Sequence, residues 1–315
     1  MKFKPLNFAL YFAIAFMNVQ FCLGQTVLPV IPPRVQPFAL NSVRLLDSPF
    51  RDAMLLNEKY LLSLDPNRFL YTFRINADLP TDDKPYGGWE KPDCELRGHS
   101  LGHYLSACSL MYAANGNVEL KRRADYIVAE LAKCQQALPS KDFNDGYLSA
   151  FPESFIDRAA EAKKVWAPWY TLHKILAGLL DAYQYCGNQQ ALDILVKSAD
   201  WIKLRMDRLS EKEVQRMLQI EFGGMNDVLT NLYAVTGNPD HLRLARAFDH
   251  RQIFDMMARK KDGLDNYHGN TQIPKIIGAA REYEMTGNAS YRDIAEFFWD
   301  RVALNRSYAI GGNTD

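Results

Sequence analysis

The sequence predicts an all-α fold, an (α/α) six-hairpin toroid or barrel that is incomplete, with about nine of its twelve helices present. Three observations lead there. A short motif recurs four times, the apolar residues around each copy fall at helical spacing, and 48% hydrophobic composition over 315 residues suffices to bury a large core. The motif is Tyr-x-x-x-Gly-Asn, at Tyr112–Asn117, Tyr183–Asn188, Tyr233–Asn238 and Tyr283–Asn288. Its glycine supplies the left-handed residue that stops a helix and its asparagine starts the turn, so each copy reads as an αα-hairpin.

Taken in chain order, Lys2 and Lys4 precede an apolar run from Leu6 to Met17 that is too short to span a bilayer. Residues 1–24 therefore read as a signal peptide, with Cys22-Leu23-Gly24 before a cleavage expected ahead of Gln25. A lipoprotein acylated at Cys22 is the rival reading, disfavoured by the bulky Val19-Gln20-Phe21. Either way the protein is expected to be exported, periplasmic or extracellular, without stable insertion in the membrane. Residues 25–41 read as a linker and 42–315 as the barrel domain.

A first helix is expected over Phe50–Ser63. The helices before the turns, Leu96–Ala114, Pro168–Tyr185, Gly223–Val235 and Gln272–Met285, are rich in small residues and in Gly, His, Asn and Gln, as an inner layer would be. Those after the turns, Val118–Gln136, Gln190–Arg208, Pro239–Met257 and Ser290–Val302, alternate charge with apolar residues, as an outer layer with one wet face requires. Successive motif tyrosines are 71, 50 and 50 residues apart, and the extra length falls in a loop-like insertion over Leu138–Val165. Hairpins that cannot bury their own apolar faces stack and close. An open α-solenoid is the alternative, but its repeats would be near-uniform in length. The chain stops at Tyr308–Asp315 without a capping helix, which reads as an interrupted barrel.

Charge and cysteine content exclude several classes. With 37 basic and 37 acidic residues there is no single-sign field to hold nucleic acid or an anionic membrane. Cys94, Cys108, Cys134 and Cys186 match no zinc-finger spacing. Export permits disulfides among them, yet spacing fixes no pairing, and Cys108 sits in an apolar helical run that suits a small core residue. Nothing in the sequence sets an oligomeric state.

Polar residues gather at the starts of the inner helices, which a barrel would place around one mouth of a central hollow. His99 and His103, four apart, share a helical face. They suit sugar hydroxyls, a buried structural role, or a metal, although no acidic residue lies between them as in the metalloprotease pattern. Gly98 and Gly102 offer a smooth stripe for close approach. Trp169 and His173 are again four apart; the indole could be a sugar platform or could pack between helices. Glu221 and Asn226 flank a Gly-Gly pair, with Asp227 suited to capping. His268, Asn270 and Gln272 precede the fourth inner helix. No nucleotide-binding glycine loop or serine elbow is present.

Five segments in order, Leu96-Arg97-Gly98-His99 through Gly102-His103-Tyr104, Trp169-Tyr170-Thr171-Leu172-His173-Lys174, Glu221 to Asn226, His268 to Pro274, and Tyr308 to Asn313, make the chain resemble the β-L-arabinofuranosidase group of bacterial glycoside hydrolases, families 127 and 146. The resemblance implies an (α/α) barrel followed by β-sandwich domains, and release of terminal L-arabinofuranose from plant-type glycans. It also implies a retaining mechanism with a cysteine nucleophile held by zinc and a glutamate acid/base. In the family these follow the segment matching Gly311-Gly312, so catalytic residues are expected beyond Asp315, with none, and no metal ligands, in this chain. Zinc is then a cofactor of the full-length family member only, and this chain alone is expected to be inactive. Sugar contact carries over first to His173, then to His99, His103, Trp169, Glu221, Asn226, His268 and Gln272. Two rivals remain: a two-carboxylate glycosidase drawing on Glu90, Glu95 and Glu221, and a non-catalytic glycan-binding or scaffold protein.

Overall fold

The computed structural model describes residues 27–141 and 143–313; the leader assigned to residues 1–24, Cys22 with it, lies outside them. Among the described residues there are thirteen α-helices and no strand. They are α1 (Pro49–Ser63), α2 (Pro66–Asn76), α3 (His99–Asn115), α4 (Val118–Ala137), α5 (Ser154–Ala160), α6 (Pro168–Cys186) and α7 (Gln189–Met206). Then come α8 (Glu211–Met217), α9 (Met225–Thr236), α10 (Pro239–Ala247), α11 (Arg251–Ala258), α12 (Gly269–Thr286) and α13 (Ala289–Trp299). The sequence expectation of about nine misses α2, α5 and α8, and merges α10 with α11.

The four repeated corners form as their chemistry requires. Gly116, Gly187, Gly237 and Gly287 all take left-handed φ, from 67° to 77°. The next side chain then caps the following helix: Asn117, Asn188, Asn238 and Asn288 accept from the backbone N–H of Glu119, Ala191, Asp240 and Ser290. Each corner thus ends one helix and starts the next with groups that lie within a few residues of it.

The inner helices α3, α6, α9 and α12 pack side by side in chain order, with α4, α7, α10 and α13 behind them. Inner neighbours come very close. A Cβ on Gly102 would lie 2.2 Å from the backbone carbonyl of Lys174, and one on Gly178 would lie 2.7 Å from the Gly102 oxygen. Asn226 of α9 occupies the equivalent gap against Gly278 of α12. Since residues near each helix start meet residues near the next helix start, the inner helices run parallel and bring their N-termini to one end. One continuous apolar core fills the space between layers from α1 to α10, and a smaller one joins α11, α12 and α13.

At the opposite end the N-terminal segment crosses three inner-helix C-termini. Val27 N–H donates to the Ala234 carbonyl, Ile31 N–H to that of Glu284, and the Arg44 guanidinium to that of Ala114. These satisfy carbonyls that a helix end leaves unpaired.

The expected single helix over Pro239–Met257 is broken. Phe248 is fully buried against Trp169, 5.1 Å between ring centroids, and the Asp249 carboxylate accepts from the Tyr291 hydroxyl at 2.6 Å. Gln215 takes over the broken ladder: its amide donates to the Asp249 carbonyl and its oxygen accepts from Arg251 N–H. The insertion expected to be loop-like contains α5, anchored by Glu153, whose carboxylate accepts from the Trp201 indole, Arg205 and the Asn144 side chain.

Candidate functional site: the N-terminal mouth of the inner helices

His99 opens α3. The left-handed Gly98 (φ 99°) precedes it, and the helix has no side-chain cap of its own. Glu90 does that work from eight residues upstream. Its buried carboxylate accepts from Gly98 N–H at 2.8 Å and Ser100 N–H at 2.9 Å, placing negative charge where the helix dipole favours it. The His99 Nδ1 lies 2.9 Å from the Leu96 carbonyl and 3.5 Å from the Glu90 carboxylate, contacts that need the hydrogen on Nδ1 and leave Nε2 free of both.

His103 follows one turn later, its ring 5.9 Å from that of His99 and edge-on to it. Its side chain stays exposed at the mouth; partial desolvation by the surrounding helices, then the charges of Lys174 and His99, lowers its pKa to about 4. His173 on α6 is more enclosed. Its ring lies flat against Gly224, where a Cβ would come within 2.2 Å of the imidazole. Burial, followed by the charges of Lys174 and His103, lowers its pKa to about 3, and its buried Nδ1 has no hydrogen-bond partner. A buried polar nitrogen left unpaired is costly. The lowered pKa values of His103 and His173 keep those imidazoles neutral at pH 7, which suits hydroxyl groups better than anions.

Tyr170 and Lys174 complete the surface. The Tyr170 ring centre is 6.3 Å from that of His99, and the Lys174 ammonium lies 4.8 Å over Tyr170. Burial lowers the Lys174 pKa, partly offset by Asp227. Asp227 and Asp181 belong to the same wall, and burial raises each to about 6. Asp227 does not cap α9, whose N-cap Gly224 carries no side chain; it accepts instead from Asn231 at 3.0 Å.

Other residues singled out from the sequence lie elsewhere. Trp169 does not face the hollow. It is buried between layers, its indole N–H donating to the Met217 sulfur and its ring 6.0 Å from that of Trp201. The four-residue spacing to His173 gave the pair one helical stripe, but the apolar indole takes the edge of that stripe that packs on the core. Asn226 is likewise fully buried as a clamp between α9 and α12, its amide donating to the Lys275 carbonyl at 2.9 Å. His268 is exposed at the N-cap of α12. Gln272 is buried, donates to Thr271 Oγ1 at 2.7 Å and accepts from the Lys275 amine at 3.3 Å. Gln272 also borders a cavity of about 300 Å³ shared with Asp265, Tyr267, Arg306 and Asn313. Glu221 is half-buried, and its charge is felt by Tyr170 and Lys275.

Sequence reasoning missed the Glu90 cap, the Tyr170 and Lys174 contribution, and the Lys275 cluster. Lys275 is almost wholly buried, 3.0 Å from His250 Nδ1 and 4.1 Å over Phe222, and burial lowers its pKa to about 7 against an opposing effect of Glu221. The Glu-x₇-Gly spacing could have flagged Glu90; nothing local could have flagged Lys275.

Zinc finds no seat among the described residues. No three of His, Cys, Asp and Glu come together as a metal requires. Cys94, Cys108, Cys134 and Cys186 are free thiols in separate places, and the last three are buried. No helix among the described residues is long and apolar enough to cross a membrane.

Parallel inner helices with imidazoles massed at their N-terminal mouth define the wall of an (α/α) barrel of the glycoside hydrolase type. Residues 42–315 match the model of the β-L-arabinofuranosidase, GH127 catalytic domain, and the chain belongs to that family. Among solved structures it is similar to a GH127 β-L-arabinofuranosidase from Geobacillus stearothermophilus T6, at 18% identity and a TM-score of 0.53 over 84% of this chain and 43% of that one. It is also similar to a GH127 β-arabinofuranosidase at 18% identity and a TM-score of 0.55, over 92% of this chain and 48% of that one. At such identity the likeness is one of fold, and the chain spans less than half the length of either relative. No curated protein matches.

Proposed function

We propose that this chain forms the sugar-holding wall of an exported β-L-arabinofuranosidase, and that a terminal L-arabinofuranose of a plant-type glycan sits against His99, His103, Tyr170, His173 and Lys174. The observation that carries the reading is the gathering of the His99, His103 and Tyr170 rings and the Lys174 ammonium at one mouth, with His173 on the same helix as Tyr170 and Lys174. His99 Nε2 accepts a sugar hydroxyl, His173 pairs with a second, and the Lys174 ammonium donates to a third. The nucleophile and acid/base of the family resemblance are supplied by sequence beyond the part matched here, and zinc belongs with them.

The arrangement weighs against a two-carboxylate mechanism built on Glu90, Glu95 and Glu221. Glu90 is committed to the α3 terminus, and Glu95 to Arg158 at 2.8 Å and to Trp166 N–H at 2.7 Å. That leaves Glu221 alone, whereas the chemistry needs a pair. The test is calorimetry of the 315-residue chain with methyl β-L-arabinofuranoside, together with an assay on a nitrophenyl L-arabinofuranoside. Binding that His173→Ala abolishes, without turnover, is the expected result. Turnover by the chain itself would overturn the assignment of the reacting groups, and absence of binding would overturn the site.

A further inference from the structure

We infer that the Trp89 indole is the platform for the sugar on the leaving-group side of the scissile bond. The inference rests on the sugar-binding reading above and extends it outward from the hollow. The protein has five tryptophans; Trp169 and Trp201 are buried in the core, whereas Trp89 is 59% exposed. Its ring nevertheless has a defined neighbour, the His99 imidazole, 5.4 Å away at an interplanar angle of 54°. An apolar ring of this size left in water beside a cluster of polar sugar-binding groups offers the combination that a pyranose or furanose uses: hydroxyls to the imidazoles, C–H face to the indole.

The rim that carries Trp89 is held rigidly. The next residue, Glu90, is the buried carboxylate clamped on Gly98 and Ser100 N–H, and a 3₁₀ turn over Gly88–Glu90 fixes the backbone between them. Five residues on, Glu95 ties this loop to the one before α6 through Arg158 and the backbone N–H of Trp166. A platform fixed before binding loses little conformational entropy when the ligand arrives. The Trp89 ring borders His99, and His99 borders the His103 and Tyr170 rings, so a disaccharide whose outer arabinofuranose is held at those groups lays its second ring onto the indole. The ligand class is accordingly an arabinofuranosyl oligosaccharide.

The experiment is calorimetric titration of the full chain with methyl β-L-arabinofuranoside and with a β-L-arabinofuranosyl-L-arabinose disaccharide. Wild type is expected to bind the disaccharide about fivefold to tenfold more tightly than the methyl glycoside. Trp89→Ala removes that gain and leaves the methyl glycoside affinity unchanged, while Trp89→Phe retains part of it. An exposed position makes folding of both variants straightforward to verify by thermal melting. The inference is overturned if wild type shows no preference for the disaccharide, if Trp89→Ala keeps the preference, or if it weakens both ligands equally, which would place Trp89 in the inner sugar site. Wild type that binds neither ligand brings down the reading of the hollow itself, and the platform with it.

Discussion

Gly102→Ala should both loosen the fold and blunt sugar binding, because α3 and α6 touch backbone to backbone there. The added Cβ would sit 2.2 Å from the carbonyl carbon and oxygen of Lys174. Non-bonded carbon contacts settle near about 3.5 Å, so the two helices must part by roughly 1 Å. No rotamer change can relieve the clash, since both sides are main chain. Overpacking of this kind costs about 1–3 kcal/mol, and the better helix propensity of alanine returns at most about 1 kcal/mol. A net loss of about 1–2 kcal/mol lowers the melting temperature of a domain this size by about 2–6 °C. The same displacement moves His99 and His103 on α3 away from His173 and Lys174 on α6. Loss of one or two hydrogen bonds to the sugar then weakens binding about tenfold. Circular-dichroism melting and calorimetry with methyl β-L-arabinofuranoside read the two effects. A variant with undiminished melting temperature and undiminished affinity would refute the close-packing argument and the division of the site between the two helices.

Gly224→Ala puts a side chain into the His173 ring at a position with φ 81°, and is expected to cost about 2–4 kcal/mol in melting studies while eliminating sugar binding. Because His173 titrates near pH 3 in the fold and near its ordinary value when unfolded, the unfolded chain binds the extra proton between those limits. Its contribution to stability is therefore intact above about pH 6.5 and drains away on acidification, by up to about 1.4 kcal/mol per pH unit. Urea titrations from pH 7 to pH 4 should show His173→Gln with a shallower decline than wild type; parallel curves would contradict the burial of a neutral imidazole. The facing carboxyls of Asp249 and Glu282 work in the opposite sense. Burial raises both above the ordinary carboxylate range, and the Asp249 charge raises Glu282 further, so the fold holds a proton that the unfolded chain releases, and stability falls as pH climbs from the ordinary carboxylate range through the raised one. Glu282→Gln, which imitates the protonated acid, should flatten the loss between pH 7 and pH 9 in the same titrations.

The helical hairpins were legible because their information is local. A left-handed glycine, an asparagine cap and apolar residues at helical spacing act within a few residues of one another, and all four corners form as those rules require. The Gly102 position offered room for a close approach, but its partner, the Lys174 backbone 72 residues on, was decided by tertiary packing. Much of the site depends on which edge of an inner helix turns toward the hollow, and that is settled by neighbours far along the chain. Trp169 turns away from the hollow because Trp201 and Phe248 build an apolar slot for it between the layers, and Asn226 because Gly278 leaves room for its amide beneath Lys275. The break between α10 and α11 arises from Gln215, Phe248 and Tyr291, none of which signals a helix end by itself. The sequence alone thus determined the four corners at which one long helix stops and the next begins, since left-handed glycines and asparagine caps are short-range chemistry. Only the tertiary structure decided which polar groups are left facing the hollow, because burial depends on every chain segment that packs around a residue.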